Sequence, residues 1–427
     1  MDAQPNNRLP PLFRALESRN FRLFFAGQGI SLIGTFLQQV ALGWFVYRVT
    51  GSKLLLGTIA FASQAPSFLL SPIAGALADR WNRRKVLVIV QSLQGLQALA
   101  LAIAIATDHA PIWLILTIVT IFGSLNAIDI PFRQSLVSQM LDDKTALPNA
   151  IALNSALFNS ARLVGPALGG LLVASMGEAT CFFLNAVSYL AIVGALLAIH
   201  PHPTETTKRH RLGKEILDGL RYVRSHAPIR DLLLLVSAVG MLGLAYTVLL
   251  PVMARDLLHG DARTLGLLMG SGGAGAIVGA LLLASRKSTD GLLPKIALAS
   301  TLSGVSLLAL SRIHLLQWSM PLIALSGFGF VFSAGGANTL IQTWVDNRFR
   351  GRVLSLYTLA FLGSSTIGNL AMGWLSTHLG MPDAMLVFGG LFLASAVVFA
   401  LRSPSFRNDP RCVPVVPLQS DEHRIPS

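Results

Sequence analysis

The chain has 427 residues, of which 53% are hydrophobic and only 12% are charged, and its mean hydropathy is +0.61. Soluble domains carry roughly 25% charged residues, so this composition excludes an ordinary soluble domain and predicts a membrane protein. The net charge of +13 would indicate nucleic-acid binding in a soluble protein, but the positions of the bases, described below, account for it without nucleic acid. The two cysteines, Cys181 and Cys412, indicate neither a disulfide framework nor a thiolate metal site.

Twelve apolar runs are long enough to cross a membrane, because a hydrocarbon core of about 30 Å needs about 20 residues of helix. They lie at 21–48, 54–78, 86–107, 111–130, 146–174, 180–200, 231–253, 264–285, 292–311, 317–341, 353–377 and 383–402. We therefore predict an all-α integral membrane fold with twelve transmembrane helices in two pseudo-symmetric six-helix bundles, 21–200 and 231–402.

The remaining segments are polar. Residues 1–20 form an N-terminal tail, and residues 201–230 form a basic linker between the bundles. The linker segment LGKEILDGLRYV is predicted to be an amphipathic surface helix, with an apolar face made by Leu212, Ile216, Leu220 and Val223. The Pro-rich tail 403–427 is predicted to be disordered.

The basic residues are distributed unevenly across the twelve predicted spans. If the N-terminus is cytoplasmic, 27 of the 33 Lys and Arg residues lie in or beside the cytoplasmic segments, five lie on the opposite side, and Arg162 lies within a span. Such a bias towards the cytoplasmic side is the usual signal of orientation. It predicts cytoplasmic N- and C-termini and explains the net charge.

The segment GALADRWNRRKVL, residues 75–87, places one acid and four bases in the short loop between the second and third spans. It resembles the loop 2–3 signature of the major facilitator superfamily, G-x-L-[AS]-D-R-x-G-R-[RK], and this resemblance extends over about residues 15–402. Asn82 replaces the second glycine of the pattern. Because asparagine tolerates the left-handed conformation, we expect the turn to survive there.

In that superfamily the acid of this loop lies at the N-terminus of the eleventh helix, where backbone N–H groups favour an anion. We expect this helix end near Arg352–Val353. The loop arginines can also reach an acid at the inner end of the fourth span, where Asp129 lies. The resemblance thus implies a latch between the bundles, which holds the outward-open state, made by Gly75, Asp79, Arg80, Arg83, Arg84 and Asp129. The alternative is that the bases only anchor the loop in the cytoplasm.

A second motif lies in the fifth span, in NSARLVGPALGG, residues 159–170. Gly165, Pro166, Gly169 and Gly170 match the superfamily's antiporter motif, G-x(3)-G-P-x-x-G-G, whereas Ala161 replaces its first glycine. The resemblance implies an exporter rather than an importer. The alternative is a kinked packing helix, because proline kinks helices and small residues permit their close approach.

Arg162 lies about 15 residues into the fifth span, or roughly 22 Å from its inner boundary at 1.5 Å per residue. A charge at this depth usually faces a bundle interior or a water-filled cavity, and the apolar spans offer no acid at similar depth. Two interpretations stay open: Arg162 binds an anionic group of a substrate, or backbone carbonyls and Asn159 hold it as part of the helix kink. Other polar side chains extend this candidate cavity, either as its lining or as hydrogen bonds between helices: Gln28, Thr35, Gln38, Asn338, Gln342 and Asn369.

The segments DIPFRQSLVSQML, LPNAIALNSALFNSARLVGPALGG and CFFLNAVSYL resemble the bacterial drug:proton antiporters and enterobactin-exporter-like members of the superfamily. This resemblance implies a monomeric secondary active exporter of a siderophore or amphipathic drug in the bacterial inner membrane, which works by alternating access. Its energy source would be the proton gradient, with no cofactor, although no proton-carrying acid is evident. Two alternatives are a lysophospholipid flippase and a non-transporting membrane sensor or scaffold. An enzyme is not expected, because no phosphate loop, HExxH or G-x-S-x-G motif is present.

Overall fold

The computed structural model describes residues 11–78, 80–201, 212–286 and 288–406, and all regular structure in these ranges is helical. Twelve of the helices are long and apolar enough to cross a membrane, as predicted. We refer to them in chain order as the first to twelfth spans: Arg19–Thr50, Lys53–Ala78, Arg83–Ala106, Ile112–Val137, Leu147–Met176, Glu178–Ala198, Ala227–Leu257, Ala262–Ala284, Leu292–Leu310, Leu316–Trp344, Asn347–Leu379 and Met381–Arg402.

The seventh span is interrupted, which its apolar run does not predict. It contains two π turns, Val239–Gly243 and Met253–Leu257, and a 3-10 turn, Ala245–Leu249. Such turns inside a longer helix often mark a functional hinge. The first π turn lies where the backbone approaches the eleventh span, because a β-carbon on Gly240 would lie 2.6 Å from the carbonyl oxygen of Phe361.

The eleventh span also differs from its prediction. It begins at Asn347 rather than near Arg352–Val353, because the side chain of Asp346 caps the helix by accepting a hydrogen bond of 2.8 Å from the backbone N–H of Arg348. The span therefore supplies its own anion at its N-terminus. A π turn at Leu359–Gly363 interrupts the span further along.

The spans form two bundles of six, which meet along two flanks. The second span packs against the eleventh on one flank, and the fifth packs against the eighth on the other. We call the end of the bundles where the second span leads into the third the basic face, and the opposite end the far face. The end of the sixth span, the start of the seventh span and the loops 138–146 and 345–346 lie at the basic face as well.

The linker helix, Leu212–Ser225, packs against the start of the eleventh span at the basic face. Asp218 forms an ion pair of 3.3 Å with Arg352, and the ring of Tyr222 stacks on Phe349 with centroids 4.6 Å apart. Val223 is buried, whereas Leu220 is half-exposed. Residues 1–10 of the N-terminal tail, and the C-terminal tail beyond residue 406, lie outside the described residues.

Candidate functional site

On each flank, the two bundles come into close backbone contact in the half of the membrane next to the far face, where glycine meets glycine. A β-carbon on Gly57 of the second span would lie 3.0 Å from the Cα of Gly373 in the eleventh span and 2.7 Å from the carbonyl oxygen of Asn369. On the other flank, a β-carbon on Gly170 would lie 2.9 Å from the Cα of Gly266 in the eighth span. These two contacts are placed symmetrically, and we call them the glycine contacts.

The predicted antiporter motif supplies one of these contacts. Gly165 and Gly169 lie against the first span of the same bundle, at Phe36 and Val40, whereas Gly170 faces the eighth span of the other bundle. Pro166 turns its carbonyl oxygen towards Gly266. The motif therefore packs on both sides of the fifth span, within its own bundle and across the flank between the bundles.

Polar contacts close the far face beside the glycine contacts. The hydroxyl of Tyr47, at the end of the first span, donates a short hydrogen bond to a carboxylate oxygen of Asp256 in the other bundle. The guanidinium of Arg255 lies over the Tyr47 ring, 5.8 Å from its centroid, and donates to the carbonyl oxygens of Tyr47 and Arg48 at 3.2 and 3.3 Å. We call these three side chains the far-face cluster.

Replacing Asp256 with asparagine is expected to open the far face more often. A hydrogen bond to a charged group contributes about 1.5–3 kcal/mol when buried, and we expect about 1 kcal/mol here because Asp256 is exposed. That loss shifts the ratio of closed to open molecules about fivefold. The distribution of distances between spin labels at Leu54 and Arg263, one in each bundle, should gain a longer component.

Arg312→Ala is the matched control for that measurement. Arg312 forms an exposed ion pair of 3.3 Å with Asp383 at the same face, but both residues belong to one bundle. The distance distribution should stay unchanged in this variant. A distribution in Asp256→Asn identical to that of the unaltered protein would contradict the role of the far-face cluster.

Arg162 faces the interface between the bundles at mid-depth. Its guanidinium carbon lies 5.7 Å from the centroid of the Phe330 ring in the tenth span, and Tyr246 of the seventh span lies close enough to interact with its charge. No carboxylate of the described residues lies within 4.0 Å of its nitrogens. Arg162 thus presents a cation without a counter-ion between two bundles, where an anion could be bound.

The other predicted cavity residues divide into three groups. Four make hydrogen bonds within their own helix: Thr35 with Ser31, Asn159 with Ser155, and Gln342 with Asn338. Gln38 accepts a hydrogen bond of 2.6 Å from Asn185 and so joins the first span to the sixth. Gln28 and Asn369 are buried, and each has a side-chain oxygen without a hydrogen-bond partner among the described residues.

Sequence reasoning missed several polar residues of the N-terminal bundle. Gln91, Gln94 and Gln97 of the third span are all buried, and the segment QSLQGLQ carries the signal, because amides three residues apart share one face of a helix. Gln91 donates a hydrogen bond of 2.6 Å to Asp129. The aromatic neighbours of Arg162 were also missed, since they come from the other bundle.

Asp129 pairs within its own helix in this conformation. Its carboxylate lies 3.2 Å from Nε of Arg133, one turn along the fourth span. Asp79 lies outside the described residues, so the latch between the bundles stays a prediction. Gly75 is half-buried, with no described atom within 4 Å of its β-carbon position.

The loop arginines make contacts inside the N-terminal bundle. Arg80 is exposed, and Nε of Arg83 donates to the carbonyl oxygen of Ala78 at 2.9 Å. Arg84 donates to the carbonyl oxygens of Leu196 and Leu197, at 2.6 and 2.5 Å, and so caps the end of the sixth span.

The prediction of a left-handed turn at Asn82 is wrong. The residue has φ −65°, and its side chain accepts a hydrogen bond of 3.0 Å from the backbone N–H of Lys85. Asparagine therefore caps the third span, a role that a glycine side chain cannot perform.

Similar proteins indicate what this architecture is used for. The Staphyloferrin A transporter of Staphylococcus aureus is 27% identical over 382 residues, which cover 88% of this chain and 95% of that transporter. The multidrug efflux pump Tap of Mycobacterium tuberculosis is 27% identical over 90% of this chain and 91% of the pump. Macrolide efflux protein A of Streptococcus pyogenes is 22% identical over 88% of this chain and 94% of that protein.

Solved structures support the fold. A bacterial homologue of the human lysosomal transporter Spinster superposes with a TM-score of 0.70 at 14% identity, over 91% of this chain and 97% of that one. Residues 11–415 match the model of a protein family that is described as "Transmembrane secretion effector". This family match, the twelve apolar helices and the relatives together make the protein a multi-pass bacterial membrane transporter rather than an enzyme. The chain therefore belongs to this family, within the major facilitator superfamily.

Proposed function

We propose that this transporter exports an amphipathic organic anion, of the siderophore or drug class, across the bacterial inner membrane by alternating access. The basic face is cytoplasmic in this proposal, as the distribution of Lys and Arg predicts. The proton gradient supplies the energy, and the protein works as a monomer without a cofactor. The names of the relatives, a staphyloferrin transporter and two efflux proteins, support export of this kind of molecule.

The single observation that carries the choice of an anion is the position of Arg162. A guanidinium binds carboxylates through two parallel hydrogen bonds. A charge at mid-membrane depth is costly, and such residues usually mark a substrate or ion pathway. The rings of Phe330 and Tyr246 beside it suit an apolar or aromatic part of the same molecule.

The closed far face fits the loading step of this cycle. The glycine contacts and the far-face cluster block the route from the far face to Arg162, so the cargo enters from the basic side in this proposal. Rocking of the bundles would then break those contacts and release the cargo on the other side. No observation favours the lysophospholipid flippase or the non-transporting sensor over this cycle.

Uptake into everted vesicles tests the proposal directly. The vesicles carry the protein and are energised by an acidic interior, and an anionic carboxylate siderophore is compared with a lipophilic cation dye. We expect the anion to accumulate, and nigericin, which collapses the pH gradient, to abolish its accumulation. Arg162→Ala should lower its uptake about 10- to 100-fold, because a hydrogen bond to a charged group contributes about 1.5–3 kcal/mol.

Two variants sharpen this result. Arg162→Lys keeps the charge but loses the paired hydrogen bonds, so its uptake should fall between those of the unaltered protein and Arg162→Ala. Arg312→Ala removes an exposed arginine of one bundle and should leave uptake unchanged. Uptake of the cation that survives Arg162→Ala, with no uptake of the anion, would overturn the proposal.

A further inference from the structure

A cavity of about 550 Å³ lies between the second, seventh and eleventh spans, and the linker helix closes part of it. Arg230 and Leu220 line it near the basic face, and Phe61 and Ile367 line it near mid-depth. We call this cavity the flank groove. It lies on the flank between the second and eleventh spans, whereas Arg162 belongs to the fifth span on the other flank.

The length of the flank groove matches one leaflet of a bilayer. Its wall along the eleventh span extends from Leu356 to Ile367, which corresponds to about 16 Å at 1.5 Å per residue. Half of a hydrocarbon core of about 30 Å is about 15 Å. An occupant that fills the groove therefore spans the leaflet at the basic face.

The lining offers nothing polar to such an occupant away from the basic face. The hydroxyl groups in the wall belong to Ser237, Ser364 and Thr366, and each donates to a backbone carbonyl one turn earlier in its own helix. The other lining residues at this depth are aliphatic or aromatic, or are glycine. This part of the groove therefore suits a hydrocarbon chain.

The mouth of the groove carries excess positive charge. The carboxylate of Asp231 is 4% exposed and lies between Nε of Arg230 at 3.2 Å and Nε of Arg402 at 3.1 Å. One carboxylate thus faces two guanidinium groups. Arg221 and Arg224 of the linker helix are exposed nearby in the chain. An anionic headgroup at this level would complete the charge balance.

We propose that the flank groove binds one acyl chain of an anionic phospholipid from the leaflet at the basic face, with its phosphate beside Arg230. The lipid stays bound and is not the cargo. The proposal does not depend on which molecule Arg162 binds, so either can fail without the other.

Photo-crosslinking tests it on the full chain. The protein is reconstituted in vesicles of phosphatidylethanolamine and phosphatidylglycerol that contain phosphatidylglycerol with a diazirine at mid-chain. Mass spectrometry should find crosslinks at the half-buried groove residues Phe61 and Phe68 at least fivefold more often than at Leu190 and Leu298, which are 69% and 58% exposed and serve as lipid-facing controls.

Two variants fill the groove: Ala360→Phe and, in case that protein misfolds, Ala65→Phe. Each should reduce the crosslinks in the groove at least fivefold and leave those at the control positions unchanged. The same diazirine on phosphatidylcholine should label the groove at least threefold less. Four results would overturn the proposal. They are labelling of the groove no stronger than at the controls, labelling that survives both variants, equal labelling by the two lipids, and displacement of the labelling by an exported anion.

Discussion

Replacing Gly170 with valine is expected to lower transport strongly while the protein still folds and inserts. A β-carbon at this position would lie 2.5 Å from the carbonyl oxygen of Ala262 and 2.9 Å from the Cα of Gly266, so the fifth and eighth spans must separate at the far face. Overpacking of this kind costs about 1–3 kcal/mol, which falls on the closed state alone. We expect uptake into everted vesicles to decrease about 5- to 140-fold, since each 1.4 kcal/mol is a factor of ten.

A matched control uses a glycine with free space around it. No described atom lies within 4 Å of the β-carbon position of Gly194 in the sixth span, so Gly194→Val should transport normally. Gly373→Val, on the other flank, should reproduce the loss seen in Gly170→Val. Normal transport by Gly170→Val would show that the glycine contacts are not needed for the cycle.

Removing Arg133 is expected to produce the largest loss of stability among the ion pairs described. The side chain of Asp129 is 5% exposed and that of Arg133 is 18% exposed. Without the guanidinium, the carboxylate keeps only the hydrogen bond from Gln91 among the residues that the structure describes. Breaking a buried pair on one side costs about 3–5 kcal/mol. We expect Arg133→Ala to lower the melting temperature in detergent by at least about 5 °C.

The double variant Asp129→Asn/Arg133→Ala tests whether the unpaired carboxylate of Asp129 causes the loss of stability in Arg133→Ala. It should be more stable than Arg133→Ala alone, because no unpaired carboxylate remains. The exposed pair of Arg312 and Asp383 provides the comparison, and Arg312→Ala should not change the melting temperature measurably. A melting temperature of Arg133→Ala equal to that of the unaltered protein would contradict this account.

The twelve spans could be predicted because the requirement for apolar length acts on each segment by itself. The interruptions of the seventh and eleventh spans could not, because they depend on contacts between helices, such as that of Gly240 with Phe361. The start of the eleventh span was predicted wrongly because its first turn is polar and does not belong to the apolar run. Asp346 caps the helix several residues before its apolar run begins.

A residue of the candidate site could be predicted from the sequence where its charge or polarity contrasts with the apolar span around it. Arg162 stands out in the sequence because a charge in an apolar span is costly. Its neighbours Phe330 and Tyr246 do not stand out, because aromatic residues are ordinary in such spans. Gln38 and Asn185 illustrate the same limit, since each amide is visible but their pairing depends on how the first and sixth spans pack.

The glycine contacts have a consequence for electrical leak. Where Gly57 meets Gly373 and Gly170 meets Gly266, backbone touches backbone and no side chain stands between the bundles. A file of water molecules needs space and polar partners, and these crossings provide little of either. The far face is therefore expected to insulate well against proton and ion currents while the transporter waits for its cargo.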